Sequence, residues 1–391
     1  MLRPFNLRNM RSDANEVVFL SPDFVRNNGL KVFCRNDLAF ARVGDVGCSI
    51  ITQDEVTISP NIIACSLKQT LNPAYAAIFF NTKFGRLQME GAIKAVAQPT
   101  ISTSLIRELR LPVISKKIQT QLQEKLETID KLVLESRALL VCAEQALLDA
   151  LGLADWRPPE PLTYMRSSKD VMAAGRFDSQ YFAPAKAAAH AVLKQHGSRC
   201  LADCVRTIRE LVVPGAADSP VTVRNFDLPD ALLPVLDDRQ PLVETDSLGS
   251  VKKRLRDGDV VISRLRSYLK EIAVVRTGSA IPAVGSSEFI VLRPKAEILS
   301  PETLAVFLRL TPAQMILAYS QDGSNHPRFA EDVLLSIPVP NTVFDMDSKI
   351  AALFCTAHAL RQQSQILLDR AQQAVEVAIE EGEAAGMAIL A

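Results

Sequence analysis

Apolar residues recur at every third or fourth position in two long stretches of the chain. Such spacing over about 30 residues is typical of heptad helices, each roughly 50 Å long. The many alanines allow close approach, so we expect the two helices to pair antiparallel, although a helix packed on its own domain would look similar. The first seam runs through Leu126, Ile129, Val133, Ser136, Leu140, Ala143, Leu147 and Ala150, and the second through Ile350, Leu353, Ala357, Leu360, Ser364, Leu367, Ala371, Ala374 and Ala378.

The sequence ahead of each seam has a different pattern, in which short β-branched runs alternate with turn residues. Examples are "LAFA" (38–41), "VVIS" (260–263) and "FIVL" (289–292). One helix start with a capping residue follows the runs in each half. This mixture predicts α+β domains.

Five blocks of sequence occur twice in the same order, at offsets of 216 to 228 residues. A repeated order of this kind predicts two copies of one domain, each followed by a long helix. The pairs are "NLRNM" (6–10) with "TVRNF" (222–226), "NDLAFARVG" (36–44) with "GDVVISRLR" (258–266), "LNPAYAAIFF" (71–80) with "LSPETLAVFL" (299–308), "LRLPV" (109–113) with "LSIPV" (335–339), and "SRALLVCAEQA" (136–146) with "SQILLDRAQQA" (364–374).

The repeat decides how "LNPAY" (71–75) is interpreted. Its Asn-Pro-x-Tyr resembles the Asn-Pro-Pro-Tyr loop of amino-methyltransferases, which needs the Asn amide and the aromatic ring. The second copy has Ser300 in place of Asn72 and Thr303 in place of Tyr75. The shared chemistry is an N-cap followed by proline, so we predict a helix start and no methyl-transfer site.

Composition sets the class of protein. With 391 residues and 48% hydrophobic content, the chain can bury the cores of two domains or more. The absence of a signal run and of ~18 uninterrupted apolar residues favours a cytoplasmic protein with no membrane partner. Seven cysteines without a CxxC pair, and only four histidines, favour reduced thiols in cores, with no metal and no cofactor.

The charge is balanced overall, with 44 basic and 44 acidic residues, but 252–276 has eight basic against three acidic side chains, net +5. Exposed Lys and Arg contact phosphates, so this run is a candidate DNA-binding surface. We expect Lys252, Lys253, Arg254 and Arg256 to precede a turn, and Arg264, Arg266, Tyr268 and Lys270 to point to one side of a single strand. A solvated sheet face with its own salt bridges is the alternative.

The loop "QDGSNHPRF" (321–329) is the second candidate, because Asn325, His326 and Arg328 are donors suited to base edges. Its match in the first copy, "KAVAQPTIS" (94–102), has Lys94, Gln98 and Thr100. Arg42, which matches Arg264, completes the set. Different loop chemistry is what two domains reading different half-sites would need, although loops also diverge without a function.

Nearly the whole chain resembles the specificity (S) subunit of type I restriction-modification systems. The residues that carry the resemblance are the Asp-x4-Arg strands at Asp37 to Arg42 and Asp259 to Arg264, the steps "LPV" (111–113) and "IPV" (337–339), "QTQLQEKLETIDKLV" (119–133) and "RFDSQYF" (176–182). Their order and duplication carry the resemblance, since each is unspecific alone.

The resemblance implies a division of the chain and a function. The implied parts are a first target recognition domain (1–113), a first spacer helix (114–153), a Pro-rich linker (154–175), a second target recognition domain (176–340) and a second spacer helix (341–391). About 36 residues precede Asp37, whereas about 80 separate Arg176 from Asp259. We therefore expect the first domain to be incomplete at its N-terminus.

In this family each domain would recognise one half of a bipartite double-stranded DNA target. The paired helices would fix the gap and bind two methyltransferase (M) subunits, and through them restriction/translocase (R) subunits. The chain itself would be no enzyme. The alternative is a structural adaptor, or degenerate specificity subunit, that binds the methyltransferase through its helices without recognising DNA.

Overall fold

A computed structural model describes residues 1–8, 10–13, 17–42, 47–68, 70–91, 101–195, 197, 199–216, 220–295 and 298–391 of the chain. Contacts divide it into two compact units. The first unit consists of Met1–Leu134 with Arg361–Ala391, and the second unit is Glu135–Leu360. Both borders lie inside the two longest helices, so each of these helices contributes one segment to each unit.

The described residues form a mixture of helices and strands, which confirms the α+β class. None of the described helices has both the length and the apolar character needed to cross a lipid bilayer. The strands are β1 (Leu7–Arg8), β2 (Arg11–Ser12), β3 (Val32–Phe33), β4 (Leu38–Ala41), β5 (Cys48–Ile50), β6 (Val56–Thr57), β7 (Ile62–Cys65), β8 (Arg199–Cys200), β9 (Val205–Ile208), β10 (Leu211–Val212), β11 (Thr222–Phe226), β12 (Val235–Asp237), β13 (Leu242–Glu244), β14 (Lys252–Leu255), β15 (Val260–Ser263), β16 (Ile272–Arg276), β17 (Ala283–Ser286), β18 (Phe289–Pro294) and β19 (Pro338–Val339). The helices are α1 (Pro22–Asn27), α2 (Pro73–Asn81), α3 (Lys83–Glu90), α4 (Thr103–Glu108), α5 (Lys116–Ala150), α6 (Ser168–Ala174), α7 (Pro184–Lys194), α8 (Leu201–Cys204), α9 (Pro301–Arg309), α10 (Thr311–Ala318), α11 (Glu331–Leu335), α12 (Asn341–Asp345), α13 (Asp347–Glu380) and α14 (Glu383–Leu390).

The first unit is built around β4, whose four residues are all buried. The sheet order is β1-β2-β5-β4-β7, with β4 antiparallel to both of its neighbours. Helix α2 packs on this sheet, and the rings of Phe40 and Phe80 meet edge to face at 5.4 Å. The contact buries most of α2, so the sheet and the helix form one core.

The second unit contains two five-stranded sheets, with orders β12-β16-β15-β18-β9 and β10-β14-β17-β11-β13. Strand β15 is buried throughout and antiparallel to β16 and β18. Val260, Ile262 and Phe307 share one core, which joins this sheet to α9. The arrangement of a buried strand, two antiparallel neighbours and a capped helix is therefore found in each unit.

The two capped helices begin as the sequence predicts. Asn72 Oδ1 accepts a hydrogen bond from Ala74 N at 2.8 Å, and Ser300 Oγ accepts one from Thr303 N at 3.2 Å. Tyr75 is fully buried, and its hydroxyl donates to Pro112 O at 2.7 Å. Asn72 is thus a helix cap, and the aromatic ring of Tyr75 belongs to the core.

Helix α5 has 35 residues and helix α13 has 34, as the two heptad seams predict. In the second unit, the buried Ser136 donates through Oγ to Ala357 O at 2.6 Å. Leu147 and Phe354 belong to the same core there. In the first unit, Leu126 and Val375 share a core, so segments of both helices are buried in each unit.

The linker predicted at 154–175 is not extended throughout. Its last part forms α6, which begins with a hydrogen bond from Asp170 N to Ser167 Oγ and ends at Gly175 with φ of +61°. Glycine adopts this left-handed conformation without steric cost, so it terminates the helix.

Candidate nucleic-acid interface

Two candidate regions of the second unit meet in the structure. They are the turn 264–270 after β15 and the loop 321–329 after α10. Leu265 and Arg328 form an isolated antiparallel bridge. Arg266 N donates to Pro327 O at 2.9 Å, and Phe329 N donates to Arg264 O at 3.1 Å. Because backbone hydrogen bonds join them, the turn and the loop form one surface, which we call the recognition surface.

The turn does not continue the strand, so the prediction of a single strand for Arg264 to Lys270 is wrong. Strand β15 ends at Ser263, and Ser267–Leu269 form a 3-10 turn. Arg266 and Lys270 flank this turn with φ of 50° and 51°, in the left-handed region that non-glycine residues seldom occupy. The alternation of side chains is therefore lost.

The turn separates the side chains that were expected on one face. Tyr268 is 65% exposed at the tip. The backbone carbonyl of Lys270 accepts a hydrogen bond from Arg309 Nη1 at 3.2 Å, and burial lowers the pKa of its amine. Tyr268 is therefore the more exposed of these two candidates.

Glu288 lies between two arginines of the recognition surface. Its Oε2 accepts from Arg264 Nε at 2.8 Å, and its Oε1 accepts from Arg328 Nη2 at 2.8 Å. The hydrogen bonds from Arg328 above all, and those from Arg264, hold the pKa of Glu288 at about 2. The carboxylate therefore stays charged and orients both guanidinium groups.

The loop itself is a short hairpin. Asp322 N donates to Arg328 O at 2.9 Å and Arg328 N to Asp322 O at 2.8 Å, while Gly323 takes a φ of +96°. Asn325 and His326 lie exposed at its tip. Arg266 Nη2 lies 3.2 Å from Asn325 O and 3.3 Å from His326 Nδ1. The turn thus supports the side of the loop that carries the polar side chains.

The basic strand β14 differs from what the sequence suggests. Lys252 is only 6% exposed, and its Nζ donates to Asp227 Oδ1 at 2.6 Å. We therefore correct the prediction that Lys252 contacts phosphates, because its side chain is buried and its amine is already paired with Asp227. Lys253 is half-buried, donates to Phe289 O at 2.6 Å, and has its pKa lowered by burial.

Arg254 and Arg256 follow the prediction of a position before a turn. Arg254 Nε is 3.8 Å and Arg256 Nη2 is 3.6 Å from the carboxylate of Glu210, and both side chains are about half exposed. Ion pairs this long and solvated are weak, so both guanidinium groups can exchange Glu210 for a phosphate.

Sequence reasoning missed Arg209. Its side chain is 76% exposed and pairs with Glu331 at 2.7 Å. Its charge, like that of Arg264, helps to lower the pKa of Lys253, so the three cations are neighbours. Arg209 lies outside the basic run and has no local sequence signal, since the fold alone brings it there.

The first unit has one candidate within the described residues, Arg42. Its Nε donates to Ile101 O at 3.0 Å and its Nη1 to Pro60 O at 3.1 Å. These bonds tie the end of β4 to the chain at residue 101, which is a structural role. The other three candidates, Lys94, Gln98 and Thr100, lie outside the described residues.

Comparisons with known proteins give similar solved structures only. No protein-family model matches the chain, and no curated protein matches it significantly. The crystal structure of the HsdS subunit from Thermoanaerobacter tengcongensis is 14% identical and has a TM-score of 0.28, covering 87% of this chain and 81% of the other. The type I restriction-modification S subunit from M. genitalium is also 14% identical, with a TM-score of 0.32 and coverage of 92% and 84%.

A third structure comes from work on complex assembly and conformational transition of the type I R-M system. It is 14% identical, with a TM-score of 0.30, and the match covers 88% of this chain and 83% of the other. These structures belong to the class of protein that the sequence resembles, type I specificity subunits and their complexes. TM-scores this low support no conclusion about the chain.

Proposed function

We propose that the chain is a non-catalytic subunit that recognises a bipartite DNA target and directs methyltransferase and restriction subunits to it. The observation that carries the proposal is the recognition surface of the second unit. There the fold joins the turn 264–270 to the loop 321–329, which are about 50 residues apart in the sequence. Each region is a candidate on its own, the turn because of its basic side chains and the loop because of its polar donors.

The side chains on this surface have the two functions that DNA recognition needs. The turn, the loop and Glu288 together have four basic side chains (Arg264, Arg266, Lys270 and Arg328) and two acidic ones (Asp322 and Glu288). The net charge of +2 attracts phosphates. The exposed Asn325 and His326 are suited to base edges, and so is an arginine that can donate two parallel bonds. Tyr268 adds an exposed ring at the tip.

The proposal includes the division of the chain into two recognition domains, 1–113 and 176–340, joined by the linker 154–175. A pair of hydrogen bonds supports this repeat. Ile101 N donates to Arg42 O at 3.2 Å in the first unit, and Phe329 N donates to Arg264 O at 3.1 Å in the second. The same backbone connection thus holds the end of the loop 321–329, which we call the recognition loop, and the chain at residue 101 in the first unit.

The spacer helices, 114–153 and 341–391, would pair antiparallel, fix the gap between the half-sites and bind two methyltransferase subunits. Two bonds support the antiparallel direction. Ser115 N donates to Glu383 Oε1 at 2.8 Å in the first unit, and Ser136 Oγ donates to Ala357 O in the second. Ser136 lies in α5 and Ala357 in α13, whereas Ser115 directly precedes α5 and Glu383 is the first residue of α14, after the end of α13. The start of α5 thus lies beside the segment that follows α13, as an antiparallel pair requires.

The first experiment co-expresses the chain with the methyltransferase encoded beside it and maps methylated adenines by sequencing. We expect a split motif. Replacing Arg266 and Asn325 together with Ala should abolish methylation at the motif while the methyltransferase still co-purifies. Arg157→Ala, which removes an exposed charge from the linker, is the matched control and should leave methylation unchanged.

Two results would overturn the proposal. A stable complex that methylates no motif would mean that the chain does not recognise DNA. Unchanged methylation by the Arg266 and Asn325 double variant would mean that the recognition surface is not the reader. A separate deletion of one heptad from both helices should change the gap in the motif and leave its half-sites unchanged.

A further inference from the structure

The segment "RFDSQYF" (176–182) lies at the base of the recognition loop. Arg176 donates through Nη1 to Ser320 O at 3.1 Å and through Nη2 to Gln321 O at 2.9 Å. Helix α10 ends at Ala318, so these carbonyls follow its C-terminus, where no further helical N–H groups are present to bond them. A cation placed there satisfies the carbonyls and stabilises the negative end of the helix dipole.

The guanidinium of Arg176 is itself held in place. Its Nε donates to Asp178 Oδ2 at 2.8 Å, and its plane lies over the ring of Tyr181 at 4.5 Å. Asp178 Oδ1 accepts from Tyr181 N at 2.8 Å, which closes the segment on itself. Only 22% of the Arg176 side chain is exposed. The guanidinium N–H groups of Arg176 are therefore oriented toward the loop and not toward solvent.

These contacts fix one end of the loop, and the bond from Phe329 N to Arg264 O fixes the other. Between them the backbone pair of Asp322 and Arg328 closes the hairpin. Because both ends of the loop are held, the positions of Asn325 and His326 depend on the segment 176–182 at one end and on Arg264 at the other. A loop that is ordered before binding does not have to pay that ordering entropy when it binds DNA.

We propose that Arg176 is a positioning residue for DNA recognition and that residues 176–182 act as a clasp on the recognition loop. The clasp sets where the loop presents its polar side chains without touching DNA itself. This inference rests on the proposed function, because the loop is taken to recognise bases.

The first test measures amide hydrogen exchange in the full chain without DNA. Arg176→Gln should raise the exchange rates of the Asp322 and Arg328 amides about tenfold, since two charge-assisted bonds are lost. Amides within the β15–β18 pair should exchange as before. Lys295→Gln is the matched control, because Lys295 also donates to two successive backbone carbonyls, those of Ala202 and Asp203, and these belong neither to residues 176–182 nor to the loop.

The second test uses a duplex that carries the mapped motif and a scrambled duplex of equal length. Arg176→Gln should weaken specific binding by the full complex about tenfold and leave binding to the scrambled duplex unchanged. The salt dependence should also stay unchanged, because no phosphate contact is removed. Arg176→Lys keeps the charge without the two-donor fork, so it should resemble Arg176→Gln in both tests.

The outcomes separate the clasp from the proposed function. Unchanged loop exchange in Arg176→Gln would overturn the clasp, and so would a reduced salt slope, which would make Arg176 a phosphate contact. Full recovery by Arg176→Lys would mean that charge alone matters and would also overturn it. If the unmodified complex methylates no motif, the proposed function fails and the exchange test alone decides whether Arg176 positions the loop.

Discussion

The two units share a backbone arrangement around their central strands. In the first unit, Cys34 N donates to Asp37 Oδ2 at 2.9 Å, and in the second, Arg256 N donates to Asp259 Oδ2 at 2.9 Å. Each bond closes the turn that leads into β4 or β15. The residue before each aspartate, Asn36 or Gly258, has a positive φ, so the turn has the same form in both.

The side chains at matched positions differ. Arg42 N donates to Asn61 O at 2.9 Å, and Arg264 N donates to Glu288 O at 3.1 Å, so Asn61 and Glu288 occupy equivalent backbone positions. Glu288 adds a carboxylate that pairs with Arg264, whereas Arg42 donates to backbone carbonyls. The two units therefore share the backbone arrangement around the central strand, while the side chains at the end of that strand differ.

The largest effect should come from the two turn aspartates. Asp259 is fully buried and also accepts two bonds from Arg293, at 2.7 and 2.9 Å. Asp259→Ala should lower the free energy of unfolding by about 2 kcal/mol, because it removes a buried carboxylate that accepts from the partly exposed Arg293 and from the Arg256 amide. Asp37→Ala removes a turn bond and should cost about 1 kcal/mol.

Urea titration can measure this difference. Trp156 is the only tryptophan of the chain and packs against the core of the second unit, so its fluorescence follows that unit. Circular dichroism follows both. Asp259→Asn, which keeps the shape, should lie between the unmodified chain and Asp259→Ala. Equal losses at the two aspartates would show that the pair with Arg293 contributes nothing.

The N-cap residues of α2 and α9, Asn72 and Ser300, can be exchanged between the two units by mutation. Asn72→Ala and Ser300→Ala should each cost about 1 kcal/mol of helix stability. In thermal unfolding the swaps Asn72→Ser and Ser300→Asn should each be less destabilising than the alanine changes, because both residue types cap well. They still lose the bonds from Asn72 Nδ2 to Gln123 and from Ser300 Oγ to Asp347. Loss of methylation by the complex in Asn72→Ser, with stability retained, would contradict a capping role.

The ion pairs of Glu288 should make a smaller contribution to stability. Glu288→Gln should lower the free energy of unfolding by about 1 kcal/mol, a value reduced for the partial exposure of the arginine partners. The pKa of Glu288 falls from its ordinary 4.5 to about 2. Its contribution is therefore full above about pH 4.5 and is lost as the pH falls toward 2. Urea titrations of both proteins should converge at low pH.

Asn61→Ala is the matched change in the first unit and should have little effect at any pH, because the backbone carbonyl makes the bond to Arg42 N. If the free energies of unfolding of Glu288→Gln and the unmodified chain still differ by the same amount at pH 2, the ion pairs are not the cause of the difference.

The smallest effect on stability should come from Arg254→Gln and Arg256→Gln, within about 0.5 kcal/mol. If these side chains contact phosphates, each change should lower the slope of log affinity against log salt by about 0.9. Lys252→Met should leave the slope unchanged, since the pair with Asp227 is internal. A slope that falls in Lys252→Met and not in the arginine variants would contradict the assignment.

The sequence predicted those features that depend on local residues. The caps at Asn72 and Ser300, and the helices at Lys116–Ala150 and Asp347–Glu380, follow from neighbouring residue types and from spacing. The strand expected from Arg264 to Lys270 failed because two non-glycine residues take left-handed conformations there, which no local pattern indicates.

Contacts between distant residues were not predictable. Lys252 is buried because Asp227, 25 residues earlier, lies beside it, and Arg209 reaches the neighbourhood of Lys253 only through the packing of strands. The role of Glu288 also depends on the approach of the loop 321–329. Charge and loop composition therefore predicted the candidate regions. The burial and the bonding partners of each side chain depend on the fold and could not be predicted.

The first unit is built from two separate segments of the chain, and this affects when it can fold during synthesis on the ribosome. Its core combines residues such as Leu126 with Val375 and Leu390, which come from the two ends of the chain. The second unit is continuous, so it can fold while translation proceeds. The first unit cannot form before residues 361–391 have left the exit tunnel, and a nascent chain that stops after residue 360 would expose the apolar side of residues 1–134.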